Sequence, residues 1–243
     1  MARQPATERT EPRISVNDLA LFMVSSETAR IGIIRRAKFP QAPPIIRYRD
    51  ARRSICAYLA DQNRSVNHLL VVEDTLRQRI DDPSTSPLMR DDAAHSIDVL
   101  HAVQGMQNRL AGYDFRVAPT QQAPLHLGGV TVSVRADLLV HGASRGVEQI
   151  GSALLRMTMD DADSEVARDR RRNMGLYAAT LARLHTDQNI TTNRDPANRL
   201  CMSIDIQHGE VFVAPNSNTR RTNDLGSACQ MIAAIWPTIT NSN

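Results

Sequence analysis

The residues of this chain that could do chemistry are a few acids, arginines and one tyrosine in its second half. Asp137 lies on the polar side of an alternating run, Arg156 closes a second apolar run, and Tyr177 sits in a charged stretch of helical spacing. A carboxylate such as Asp137 can hold a hard cation like Mg²⁺ through oxygen. A guanidinium such as Arg156 presents a planar fork of donors that fits phosphate oxygens. A plainer reading makes Asp137 an i, i+2 partner of Arg135 on a solvated strand face, worth little energetically. For Tyr177 the plain reading is a core tyrosine with a satisfied hydroxyl.

Cationic side chains form the second group. Arg35, Arg36 and Lys38 fall together, Arg168, Arg170, Arg171 and Arg172 crowd one helical stretch, and Arg220–Arg221 precede another. Converging in space, they would follow a phosphate backbone. Left apart, they are solvated faces balanced by 26 acids. Lys38 is the only lysine, so 28 of the 29 basic residues are arginine, which suits phosphate contacts and equally fits a GC-rich codon bias. Aromatics at 4% are too scarce to favour base stacking on a single strand.

Other signatures are missing. There is no GxxxxGK[ST] loop, GxGxxG or HExxH. The seven histidines are scattered, and His95 and His101 are separated by about 600° of helical rotation. Cys56, Cys201 and Cys229 are odd in number and lack CxxC spacing, which argues against disulfides and zinc and for free thiols in a reducing cytoplasm. No apolar run approaches the ~20 residues of a membrane span, and residues 1–13 carry no signal-peptide core.

Stepping along the chain, residues 1–13 read as a flexible tail. Ser15 and Asp18 have capping-box spacing and open a helix that can run to Lys38, before Pro40, Pro43 and Pro44 break it. Further helices are expected over 48–61, 65–80 and 88–111, so residues 14–112 form a helical N-terminal portion. From Val130 to Val140 apolar residues alternate, the period of a strand. Gly142–Gly146 can turn the chain into a second strand over 147–159. Aspartates 160, 161 and 163 suit a helix start, and that helix runs to about His185. Residues 200–206 and 210–214 make a hairpin around His208–Gly209, and a last helix covers about 223–236. The fold class is α/β (α+β), one packed unit in which a mixed sheet follows the helical portion.

The order from residue 113 resembles the PD-(D/E)XK nuclease superfamily, particularly its RecB-like and Cas4-like branch. The resemblance rests on a strand acid at Asp137, the strand segment Leu154–Leu155–Arg156, the helical Asn173–Met174–Gly175–Leu176–Tyr177 and the strand after it. It implies an α-β-β-β-α-β core over 113–243, with the earlier helices as a cap or insertion. It also implies Asp137 at the first acid position, Leu154 at the second, Arg156 at the lysine position, Asn173 at the glutamine position and Tyr177 at the tyrosine position. In family chemistry the acids hold Mg²⁺ while the lysine positions or activates water. Leucine cannot ligate Mg²⁺ and arginine is a poor base. The expected reading is a degenerate nuclease-like protein that binds nucleic acid or a protein partner such as a helicase or ATPase, without cofactor or membrane. An active Mg²⁺ nuclease would need relocated ligands, at Glu148, Gln149, Asp163 or Glu165. An adaptor without nucleic-acid contact is the third possibility.

Overall fold

Ser15 caps the first helix as its spacing predicts. In the computed structural model, which describes residues 8–41, 45–158 and 163–241, its hydroxyl accepts the Asp18 N–H at 3.1 Å and donates to the Asp18 carboxylate at 2.6 Å. Pro43, Pro44, Met159, Asp160, Asp161 and residues 1–7 of the expected tail lie outside the described residues. A short strand, β1 (Arg13–Ser15), leads into α1 (Val16–Met23) and then α2 (Glu27–Lys38). The single helix expected to Lys38 is therefore two. The break follows from side chains that satisfy the orphan carbonyls of the first helix end. Ser25 donates to Leu21 O at 2.7 Å, and Arg30 reaches back to Phe22 O at 3.0 Å.

The tail expected over 1–13 is anchored from Glu8 onward. Arg9 donates its N–H to Lys38 O at 2.9 Å, and Trp236 Nε1 donates to Arg9 O at 3.1 Å. The remaining N-terminal helices are α3 (Arg49–Ala60), α4 (Asn67–Asp81), α5 (Pro87–Gly105) and the one-turn α6 (Gln107–Leu110). The helix expected over 88–111 is interrupted at Met106.

Strands β2 (Asp114–Val117), β3 (Leu125–Leu127), β4 (Val130–Ser133), β5 (Leu138–Ser144) and β6 (Val147–Arg156) follow. Then come α7 (Glu165–Asn189), the two-residue β7 (Asp195–Pro196), β8 (Met202–Asp205), β9 (Glu210–Val213) and α8 (Thr219–Ile235). The large sheet has the order β2-β5-β6-β8-β9, with β7 alongside β6. The β5–β6 and β8–β9 pairs are hairpins, and Gly146 and Gly209 supply their left-handed turn residues at φ of 81° and 63°. Strands β6 and β8 are parallel, which requires the crossover that α7 provides. Gly175 lets α7 lie against β9, since a Cβ there would overlap the Phe212 ring.

The alternating run from Val130 does not make one strand. β4 joins β1 and β3 in a small second sheet, while β5 belongs to the large one. Between them the Gln122 amide accepts the Ala136 N–H at 2.8 Å and donates to its carbonyl at 2.9 Å. Both backbone groups of Ala136 are thereby removed from either ladder. The kink sends residues of one parity into two cores. Val130, Val132 and Val134 pack with α1, α2, α7 and α8, whereas Leu138 and Val140 pack with α3, α4 and α5 on the other face. The fold is thus a mixed sheet layered between helices. Among the described residues no helix is long and apolar enough to cross a membrane.

Gln122 is itself oriented by His185 of α7. His185 Nε2 meets Gln122 Oε1 at 2.9 Å, and its Nδ1 lies 3.2 Å from the Asn189 amide nitrogen. In the neutral tautomer Nε2–H donates to Gln122 while Nδ1 accepts from Asn189. Burial pushes this imidazole from its ordinary 6.5 down to about 4. The unfolded chain protonates near 6.5 and the folded one only near 4, so the unfolded state binds more protons in between. The associated stability is complete above about pH 6.5 and is lost as pH falls toward 4. Urea unfolding should show a loss on the order of 3 kcal/mol over this window, and His185→Gln should flatten that part of the profile.

Candidate functional site

Asp137 stands one residue before β5, where the chain enters the large sheet. Its N–H donates to Ala153 O at 2.9 Å, its Oδ2 accepts the Leu155 N–H at 2.7 Å and its Oδ1 accepts from Arg52 of α3 at 2.7 Å. The side chain is only 10% exposed. Both carboxylate oxygens are therefore engaged in joining α3 to β6. The expected pairing with Arg135 does not form the contact, which goes to Arg52 instead. Leu154, two residues before Arg156 on the same strand face, is buried in the core beneath α7.

Arg156 ends β6 and emerges beside the end of the parallel strand β8, where its register partner is Asp205. Its Nη1 lies 3.5 Å from Asp205 Oδ2, and its Nη2 approaches Met174 Sδ at 3.3 Å. Asp205 is 1% exposed, and its other oxygen accepts from His208 at both the backbone N–H (3.3 Å) and Nδ1 (2.9 Å). The hairpin turn thus folds His208 back onto the strand acid three residues earlier. Burial lowers the Arg156 pKa from its ordinary value, with Asp205 and then Glu210 opposing that shift.

These groups line a cleft of about 320 Å³ between the start of α1, the ends of β6 and β8, and the first turns of α7. Asp18, Arg170 and Arg171 complete its charged wall. Three arginines face two carboxylates there, with His208 beside them, so the cleft is a mixed but cation-rich site. It suits an anion that also carries a hydrogen-bond donor. Asp205 and His208 were not singled out as site residues by sequence reasoning. The available signal was an acid at a strand end followed, three residues later, by a histidine in a tight turn.

Tyr177 belongs elsewhere. Its hydroxyl donates to Asp224 at 3.4 Å and Arg221 covers its ring at 4.8 Å. Burial raises its pKa, and Asp224 adds to the effect. With Asn173, Arg220 and Arg221 it lines a separate cleft of about 460 Å³ on another flank of α7.

The cationic clusters divide in the same way. Arg170 and Arg171 join Arg156, whereas Arg172 is exposed outside that lining. Arg35 donates to Thr240 O at 3.2 Å and Arg36 is exposed on α2. Lys38, expected to meet phosphate, is 6% exposed and donates to the carbonyls of Trp236 (3.1 Å) and Ile239 (2.9 Å). It also pairs with Glu8 at 3.3 Å, so it staples the chain's two ends.

The alternative ligands are dispersed as well. Glu148 pairs with Arg194 and Gln149 with Arg199 at the hairpin end of β6, remote along that strand from Arg156. Asp163 pairs with Arg168, and Glu165 is exposed at the start of α7. Among the described residues no three His, Cys, Asp or Glu side chains converge as a metal-ligand set. The three cysteines are free thiols and buried. Burial pushes Cys56 and Cys229 up to about 12, and it raises Cys201 as well.

No protein-family model matches this sequence, and no curated protein matches it.

Two substitutions separate structural from binding roles. Asp137→Ala leaves the Leu155 N–H without its acceptor and should destabilise the fold by about 1–3 kcal/mol in urea unfolding. Lys38→Met removes the donor from two carbonyls at the joined chain ends. It should lower stability by a similar amount, roughly 1–3 kcal/mol, while leaving anion affinity of the folded protein unchanged in a binding titration.

Proposed function

We propose that this protein is a non-catalytic, nuclease-like binding module that holds the phosphate backbone of a nucleic acid in the Arg156 cleft. One observation carries the reading: Arg156, its side chain 11% exposed at the base of a cleft, ends the strand that pairs with β5, and Arg170 and Arg171 line the same cleft. The connectivity supports it too. Strands β2, β5 and β6 run in sheet order, α7 crosses over, and β8 returns parallel to β6. That is the α-β-β-β-α-β order of the PD-(D/E)XK core when a preceding helix such as α3 is counted.

Binding is favoured over cleavage by what occupies the metal-holding positions. Leu154 offers no oxygen and lies in the core, while the Asp137 oxygens serve Arg52 and the Leu155 N–H. An arginine in place of lysine binds phosphate by a fixed fork and is poorly suited to take a proton from water. The chemistry left to the cleft is recognition of phosphate.

The test is fluorescence anisotropy with a labelled oligonucleotide across a salt series. Three phosphate contacts predict an affinity loss of roughly 20- to 40-fold between 50 and 200 mM salt. Arg170→Glu should weaken binding and make that slope shallower. Incubation with Mg²⁺ or Mn²⁺ should leave the oligonucleotide intact. A flat salt response rules out backbone binding, and cleavage by the purified protein rules out the non-catalytic reading.

A further inference from the structure

The floor of the Arg156 cleft holds an ion pair that does not close into a hydrogen bond. Arg156 Nη1 and Asp205 Oδ2 are both shielded from solvent, and neither makes a hydrogen bond. Their separation of 3.5 Å is longer than the 2.7–2.9 Å or so of a charge-assisted hydrogen bond. Buried polar atoms are nearly always hydrogen-bonded, so an ion pair left without a hydrogen bond at the base of a cleft needs an explanation. Arginine can only donate and an ionised carboxylate can only accept. A ligand that satisfies both must present an acceptor and a donor side by side.

A bare phosphate meets only half of this requirement, because its oxygens suit Arg156 but meet Asp205 with like charge. Asp18 on the same wall adds to that penalty. An internal stretch of DNA backbone is limited in the same way, since its sugar carries no hydroxyl. In RNA each 2′-hydroxyl stands beside a phosphate and is a hydrogen-bond donor. Building on the nucleic-acid reading above, we infer that the cleft selects a ribose hydroxyl next to a phosphate. The phosphate takes Arg156 and the hydroxyl donates to Asp205, so RNA is preferred over DNA. Entry requires the guanidinium to swing away from Asp205. Its place at the strand end and the flexible thioether of Met174 beside it allow that movement. This recognition uses the sugar and not base stacking, in keeping with the scarcity of aromatic residues.

The experiment compares one sequence as RNA, DNA and 2′-O-methyl RNA, each single-stranded and duplex, in anisotropy titrations at 50 mM salt. One added hydrogen bond to a buried carboxylate predicts RNA tighter than DNA by about 10-fold or more. 2′-O-methyl RNA, which lacks the donor, should fall to the DNA level. Asp205→Asn should bring RNA and DNA together, whereas Arg170→Glu should weaken both by the same factor. Equal salt-dependent binding of RNA and DNA overturns this inference and leaves backbone binding standing. 2′-O-methyl RNA binding as tightly as RNA also overturns it, because helix shape would then be the cause. That arm needs no variant, so it decides even if Asp205→Asn does not fold. Binding of no oligonucleotide, and of no mononucleotide, overturns both readings. A final arm uses 3′-AMP, whose phosphate adjoins the 2′-hydroxyl, and 2′-deoxyadenosine 3′-phosphate as competitors. 3′-AMP outcompeting the deoxy form, with RNA binding no tighter than 3′-AMP, would support the same hydroxyl-and-phosphate chemistry with a free ribonucleotide as its source.

Discussion

Much of the architecture depends on how the chain is held between Val134 and Asp137, where it leaves one sheet and enters another. Gln122 occupies both backbone groups of Ala136, and the next residue, Asp137, takes the Leu155 N–H and the Arg52 guanidinium. These bonds lie between a core shared with α7 and a core shared with α3 to α5. They set where β5 begins, and through the β5–β6 register they set where Arg156 emerges. The Asp137 carboxylate is a joint between a helix and two strands.

The charged cleft follows from that geometry. Parallel strands β6 and β8 end side by side, so their last residues, Arg156 and Asp205, share the edge that the start of α7 overlooks. Burial makes the pair consequential, since a guanidinium and a carboxylate removed from water interact strongly and tolerate unmet hydrogen bonds poorly. Tyr177 and Asn173 share a helix with Arg170 and Arg171 but serve a different surface. Sequence proximity on α7 therefore does not amount to one site.

Local signals were legible where the physics is local. The Ser15 cap, the helices from Arg49 to Gly105 and the glycine-turned hairpins follow from spacing and turn chemistry within a few residues. The strands β1, β2 and β3 are three or four residues long, too short for a period to register. The break before Glu27 depends on Arg30 reaching back to Phe22 O, a bond that periodicity does not encode. Within the candidate site, Arg156 was visible as a cation closing an apolar strand. The Asp205–His208 partnership became visible only once the hairpin folded back.

The sequence by itself determined the class of the fold, the order of its main elements and an arginine-dominated charge with one lysine. Those properties depend on composition and on periods of two and 3.6 residues, which survive without knowledge of distant partners. Tertiary structure alone decided that the alternating run serves two sheets, that Lys38 is an internal staple, and which arginines meet at Arg156. Each of those outcomes rests on contacts between residues far apart in the chain. Burial then determines what a charge does: Lys38 is consumed by carbonyls, Asp137 by Arg52 and a backbone N–H, and Arg156 is left facing a cleft.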